Sequence, residues 1–146
     1  MHPYEYTIRF LIVHPNNNLN EISETLSQIP GIVAAKVSNA GEDRVDRNGD
    51  KLGTKYFDSR WGFSFFEGWQ KSENETLPSC LDKVIAKLQP HKEFLNRLAN
   101  EAYHSEIIVS WSVEENVGDS LSPELMGKFA DLKLHLGFDL YPPDEK

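Results

Sequence analysis

Five segments of this chain alternate apolar and polar side chains with a period of two, and a strand built that way buries one face and leaves the other to water. Tyr4, Tyr6, Ile8, Phe10 and Ile12 oppose Glu5, Thr7 and Arg9. Val33, Ala35 and Val37 oppose Lys36 and Ser38, and Trp61, Phe63 and Phe65 oppose Gly62 and Ser64. Ile107, Val109, Trp111 and Val113 oppose Ile108, Ser110, Ser112 and Glu114, while Leu134, Leu136, Phe138 and Leu140 oppose Lys133, His135, Gly137 and Asp139. A doubly wound parallel sheet would read apolar on both faces. The expected fold is therefore α+β, a mainly antiparallel five-stranded sheet with its helices on one face.

The helices that cover that face are marked by a different period. Leu77, Leu81, Val84, Ile85 and Leu88 fall on one helical stripe, with Pro78 in the first turn and Pro90 ending the run. Phe94, Leu95, Leu98 and Ala102 form a second, shorter stripe. Asn18 followed by Glu21 reads as a capping box for a helix that turns Ile22, Leu26 and Ile29 inward. Ser122-Pro123-Glu124 opens another, with Leu125, Phe129 and Leu132 inward. Strand, helix and strand of residues 6–38 recur in residues 107–141: Ile22, Leu26, Ile29, Val33, Ala35 and Val37 match Leu125, Phe129, Leu132, Leu136, Phe138 and Leu140 at a constant offset of 103. Two similar β-α-β units are expected, within a single domain spanning residues 1–146. Residues 39–60 are polar and charged with both signs, and read as a long loop of the kind that is usually functional or disordered.

Several of these residues together resemble a known family. The Ile22–Leu26 helix after the first strand, Gly53 ahead of the Trp61-Gly-Phe-Ser-Phe65 strand, the Leu81-Val84-Leu88-Pro90 helix and the closing Asp139-Leu140-Tyr141 are similar to the bacterial domain-of-unknown-function family 4279. The resemblance covers most of the chain. It implies a bacterial α+β domain with no established activity, in a family whose members look at home beside toxin systems as candidate immunity proteins. No catalytic residues come with it.

Charge supplies the strongest functional hint. Of the net −8, residues 101–146 hold −7, from ten acidic and three basic side chains. Such a one-sided field steers encounters toward partners of opposite sign. With pI ≈ 5.1 and no basic cluster, nucleic acid is excluded as a partner, because phosphate neutralisation supplies most of that affinity. One cysteine forbids an internal disulfide, which suits a reducing cytoplasm. No basic stretch precedes an apolar run at the N-terminus, and no segment reaches the ~18 apolar residues of a spanning helix. The expected location is cytoplasmic.

Signatures of chemistry are sparse. Asp46-Arg47-Asn48-Gly49-Asp50 has oxygen donors at calcium-loop positions 1, 3 and 5, yet Lys51 and Phe57 occupy positions 6 and 12, where glycine and glutamate belong. It reads as a turn. Cys80 lies beside Leu81 in an amphipathic helix and reads as a small core residue. His2, His14, His91, His104 and His135 show no metal-ligand spacing, so no metal and no cofactor is expected. The outward phase of the sheet places Arg9, Ser64, Ser110, Ser112, His135 and Asp139 on one face, where a His–Asp pair and hydroxyls could serve a small ligand or acid-base chemistry.

Two functions of different class follow. The first is a non-enzymatic cytosolic immunity protein that neutralises a basic toxin, such as a nuclease. In that reading the acidic loop residues Glu114, Glu115 and Asp119 steer association, and an exposed Trp69 anchors the interface. The alternative is a small-ligand-binding or enzymatic domain that uses Arg9, Ser110, Ser112, His135 and Asp139.

Overall fold

The computed structural model describes residues 2–31 and 33–142, without the side chains of residues 33–35. The longest alternating segment becomes β1 (Glu5–His14), followed by α1 (Asn20–Leu26) and β2 (Val33–Ser38). A hairpin of β3 (Asp43–Val45) and β4 (Lys51–Lys55) leads to β5 (Ser59–Ser64) and the two-residue β6 (Gln70–Lys71). The second half runs α2 (Leu77–Leu88), a 3₁₀ turn at Gln89–His91, α3 (Lys92–Asn100), β7 (His104–Ser112), α4 (Pro123–Asp131) and β8 (His135–Tyr141).

The main sheet has the order β2-β5-β1-β7-β8, with β6 also paired to β1. All pairings are antiparallel except β7 with β8. β5 is inserted between β1 and β2, the split β-α-β arrangement of ferredoxin-like sheets, and β8 is added beyond β7. The fold is α+β with a mainly antiparallel sheet. The two β-α-β units differ, since β7 and β8 are neighbours whereas β1 and β2 are not. The sixth strand, β6, is too short to carry a period.

The inward strand residues and the helical stripes meet in one core. Tyr6, Ile8, Phe10, Ile12 and Trp61 are fully buried there with Leu77, Leu81, Ile85 and Leu88 of α2. Phe10 meets Trp61 and Phe63 edge to face, at 5.6 Å and 5.9 Å between ring centroids. This is a geometry the ring quadrupoles favour. Thr76 and Ser122 cap α2 and α4 by accepting from Ser79 N and Leu125 N.

Four expectations need correction. Asn18 and Glu21 do not form a capping box: Asn18 Oδ1 accepts from Asn20 N, and the buried Asn39 accepts from Leu19 N at 2.9 Å. A remote side chain took the role of a local one. Residues 39–60 are not one irregular loop but carry the β3–β4 hairpin, every strand residue of which is exposed. A hairpin with no buried face has no hydrophobic period to read. Val37 is more than a third exposed, and Val33 and Ala35 lie outside the described side chains. Finally, Phe138 and Leu140 take the inward phase of β8 but are 47% and 67% exposed.

Candidate binding surfaces

Register decides which outward residues of the sheet meet. Arg9 of β1 lies between Ser64 of β5 and Ile108 of β7, and Gly137 of β8 follows Ile108 in the same row. Ser110 and Asp139 form the next row with Thr7. The Arg9 guanidinium crosses Ile108 and donates to Asp139 Oδ2 at 3.0 Å, so the sheet brings these two expected site residues together. Both are about half exposed, and such a pair contributes little to stability.

The expected His135–Asp139 pair does not form. The two residues lie four apart on one strand, roughly 13 Å along it. His135 instead stacks on His104, with ring centroids 4.1 Å apart, and His104 lies 3.4 Å from the Glu106 carboxylate. Gly137 makes room for that carboxylate, since a Cβ there would sit 2.5 Å from Glu106 Oε1. Among the described residues, no group of three or more His, Cys, Asp or Glu side chains could hold a metal ion.

Ser110 and Ser112 are in the outward phase, yet both are only 4% exposed. Trp69 packs at this end of the face. Its ring meets Tyr141 edge to face at 5.8 Å. Tyr141 is the register partner of Ser112, and Trp69 enters from the β6 side of β1. The two rings therefore roof this end of the face. Trp69 is half-buried in an intramolecular contact rather than a free anchor, and Ser112 Oγ beneath has no hydrogen-bond partner among the described residues. The hydroxyls are not available at the surface.

In the acidic segment 113–122, Asp119 accepts from the Tyr4 hydroxyl at 2.6 Å. The same hydroxyl accepts from Leu77 N at 2.9 Å, which ties the loop to the first turn of α2. Burial, then the bond to Asp119, pushes the Tyr4 phenol up to about 12. Glu115 pairs with His2 at 2.8 Å, with both groups exposed. Glu114 is exposed as well. Of the three expected contacts, Asp119 thus has a structural duty, and Glu114 and Glu115 remain on the rim.

Other polar candidates are structural. His14 is buried and its Nδ1 accepts from Asn16 N and Asn17 N, so it shapes the turn after β1. Burial pushes the Cys80 thiol up, which withholds the thiolate a nucleophile needs. Asp46 Oδ1 accepts from Asn48 N and Asp50 N, and Gly49 has φ +87°: this is turn chemistry.

The surface that the sequence did not reveal is the outer edge of the sheet. α4 has nine residues and is ~13.5 Å long, whereas the seven residues of β8 extend ~23 Å. The helix covers Leu134 and part of Leu136 and leaves Phe138 and Leu140 uncovered. Phe138 packs against the half-buried Trp111, 6.3 Å between centroids, so the patch continues into the core. Comparing element lengths, rather than phases, was the signal that could have found it. Val113 N bonds Tyr141 O, which sets Glu114 and Glu115 next to the end of β8.

A family model described as a domain of unknown function (DUF4279) matches residues 4–143, nearly the whole chain. No curated protein and no solved structure matches.

Proposed function

Since the chain belongs to the DUF4279 family, whose description names no activity, we propose from its own surface that it is a non-enzymatic protein-binding domain. Its partner is a basic protein. The observation that carries this is the edge strand β8, with Phe138 and Leu140 exposed on one side and no strand beyond it in the sheet among the described residues. Natural sheets shorten, charge or cover such edges, because unpaired backbone groups beside apolar side chains invite another chain. Here the apolar strip lies in the third of the chain that carries a net −7. An apolar centre with an acidic rim has the anatomy of an interface for a cationic partner. Two copies of the chain would repel each other there. A toxin domain that must attract phosphates is basic by necessity, and an immunity protein in the same cytoplasm would mask it by this surface.

The test separates the centre from the rim. Leu140→Glu is expected to raise the dissociation rate from the basic partner at least ~10-fold, and Glu114→Lys with Glu115→Lys to slow association, more so at low salt. Asp119 is left out of the reversal because it holds Tyr4. Surface plasmon resonance at several salt concentrations reads both rates. Recovery of no basic protein on the immobilised chain, or an association rate indifferent to salt and to the reversal, would withdraw the proposal.

A further inference from the structure

With β1 and β7 between it and β8, β5 borders a groove of about 860 Å³ on the open face of the sheet. Outward positions on β5 are Arg60, Gly62 and Ser64, and the missing side chain in the middle leaves a trough. Leu11 of β1 and Lys36 of β2, the register partners of Gly62, flank it. A glycine inside a strand weakens the strand and marks a place where another group approaches the backbone closely. Arg9, Ser64 and Phe66 lie toward one end of the groove, and Arg60, Ser38 and Tyr56 toward the other. The strand rise makes the distance between these ends roughly 13 Å.

Charge is the second observation. In a chain of net −8, this groove is lined by Arg9, Lys36 and Arg60 against a single carboxylate, Glu67. Arg9 and Arg60 already bind Asp139 and Asp58. A guanidinium has five N–H donors, so both retain some for a ligand. Lys36 is exposed and forms no ion pair among the described residues. Lys36 is thus the cation of this lining without a carboxylate partner among the described residues, in a chain that is acidic as a whole. Its volume falls within the ~300–1,000 Å³ of small-molecule sites.

We propose that this groove binds a small organic anion with an elongated apolar body, of which a medium-chain carboxylate is the simplest member. Lys36 and Arg60 take the carboxylate, and the chain runs over Gly62 along Leu11 toward Phe66. Arg9 and Ser64 are shared with the outward face on which the alternation places a ligand site. Nothing in this assignment depends on the β8 interface.

Titration of the ¹⁵N-labelled protein with decanoate tests it. Saturable shifts are expected at the amides of Leu11, Lys36, Tyr56 and Gly62. Decyltrimethylammonium, with the same chain and the opposite charge, is expected to produce none at equal concentration. Lys36→Glu, an exposed change, is expected to weaken decanoate roughly 10-fold, in line with the loss of one charged hydrogen bond. Gly62→Val is expected to block the trough. A Cβ there comes 3.1 Å from the Phe10 carbonyl oxygen, so if that variant does not fold, Lys36→Glu decides. An equal response to both surfactant charges, unchanged affinity in Lys36→Glu, or shifts confined to Phe138 and Leu140 would overturn the proposal.

Discussion

Trp61→Ala is expected to lower the unfolding free energy by about 3–5 kcal/mol, the range for deleting a fully buried large aromatic. Trp61 is 0% exposed and meets Phe10 and Phe63 edge to face, the Phe63 centroid lying 5.2 Å away. The cavity would open directly behind Gly62, on the core side of β5. Trp61→Phe is expected to cost less than half as much, because the indole Nε1 has no hydrogen-bond partner among the described residues and its removal orphans nothing. Urea unfolding at unchanged m-value measures both. Equal costs for the two variants would mean that the indole N–H is bonded in solution.

The second large effect is expected at Tyr4. Tyr4→Phe removes one hydroxyl and breaks two bonds, leaving the buried Leu77 N–H unpaired and releasing Asp119. An orphaned buried donor costs about 1–3 kcal/mol. Amide exchange is therefore expected to quicken at residues 76–80 and 114–121 together, although these segments are far apart in sequence. Faster exchange in only one of them would show that Tyr4 does not link them. The same hydroxyl makes stability depend on alkaline pH. Its folded pKa, about 12, lies above the ordinary 10.0 of an unfolded tyrosine. The contribution is therefore complete below pH 10 and is lost as pH rises toward 12. Tyr6 is also raised, chiefly by burial, so Tyr4→Phe is expected to reduce this alkaline loss without abolishing it.

How far the sequence could be read follows from what a period encodes. Alternation identifies the face of a strand: β1 and β5 bury the side chains that their phases assign inward, and β7 does so at Ile107 and Val109 but only partly at Trp111. It does not encode what lies above that face. Phe138 and Leu140 have the phase of core residues and the surroundings of an edge. The same limit explains the outward face. Arg9 and Asp139 share the outward phase, but only register puts them in contact and keeps His135 away. The Trp69–Tyr141 roof needs β6 beside β1 and β8 beyond β7, two pairings between segments distant in the chain. The groove was missed for a simpler reason. Gly62 is informative by the side chain it lacks, and a pattern of apolar residues has no symbol for that.

The strand order also governs how the chain acquires its shape during synthesis. β1 emerges from the ribosome before its partners, with Tyr6, Ile8, Phe10 and Ile12 on one side, and those partners begin only at Ser59 on one edge and His104 on the other. Roughly a hundred residues must be made before both edges are paired. Contacts this distant in sequence slow folding and lengthen the exposure of apolar strands. A nascent chain stalled before β7 would present its most hydrophobic strand with one edge open. Successful folding therefore depends on the late arrival of the same acidic third that carries the proposed interface, and a truncation that removes it would be expected to aggregate.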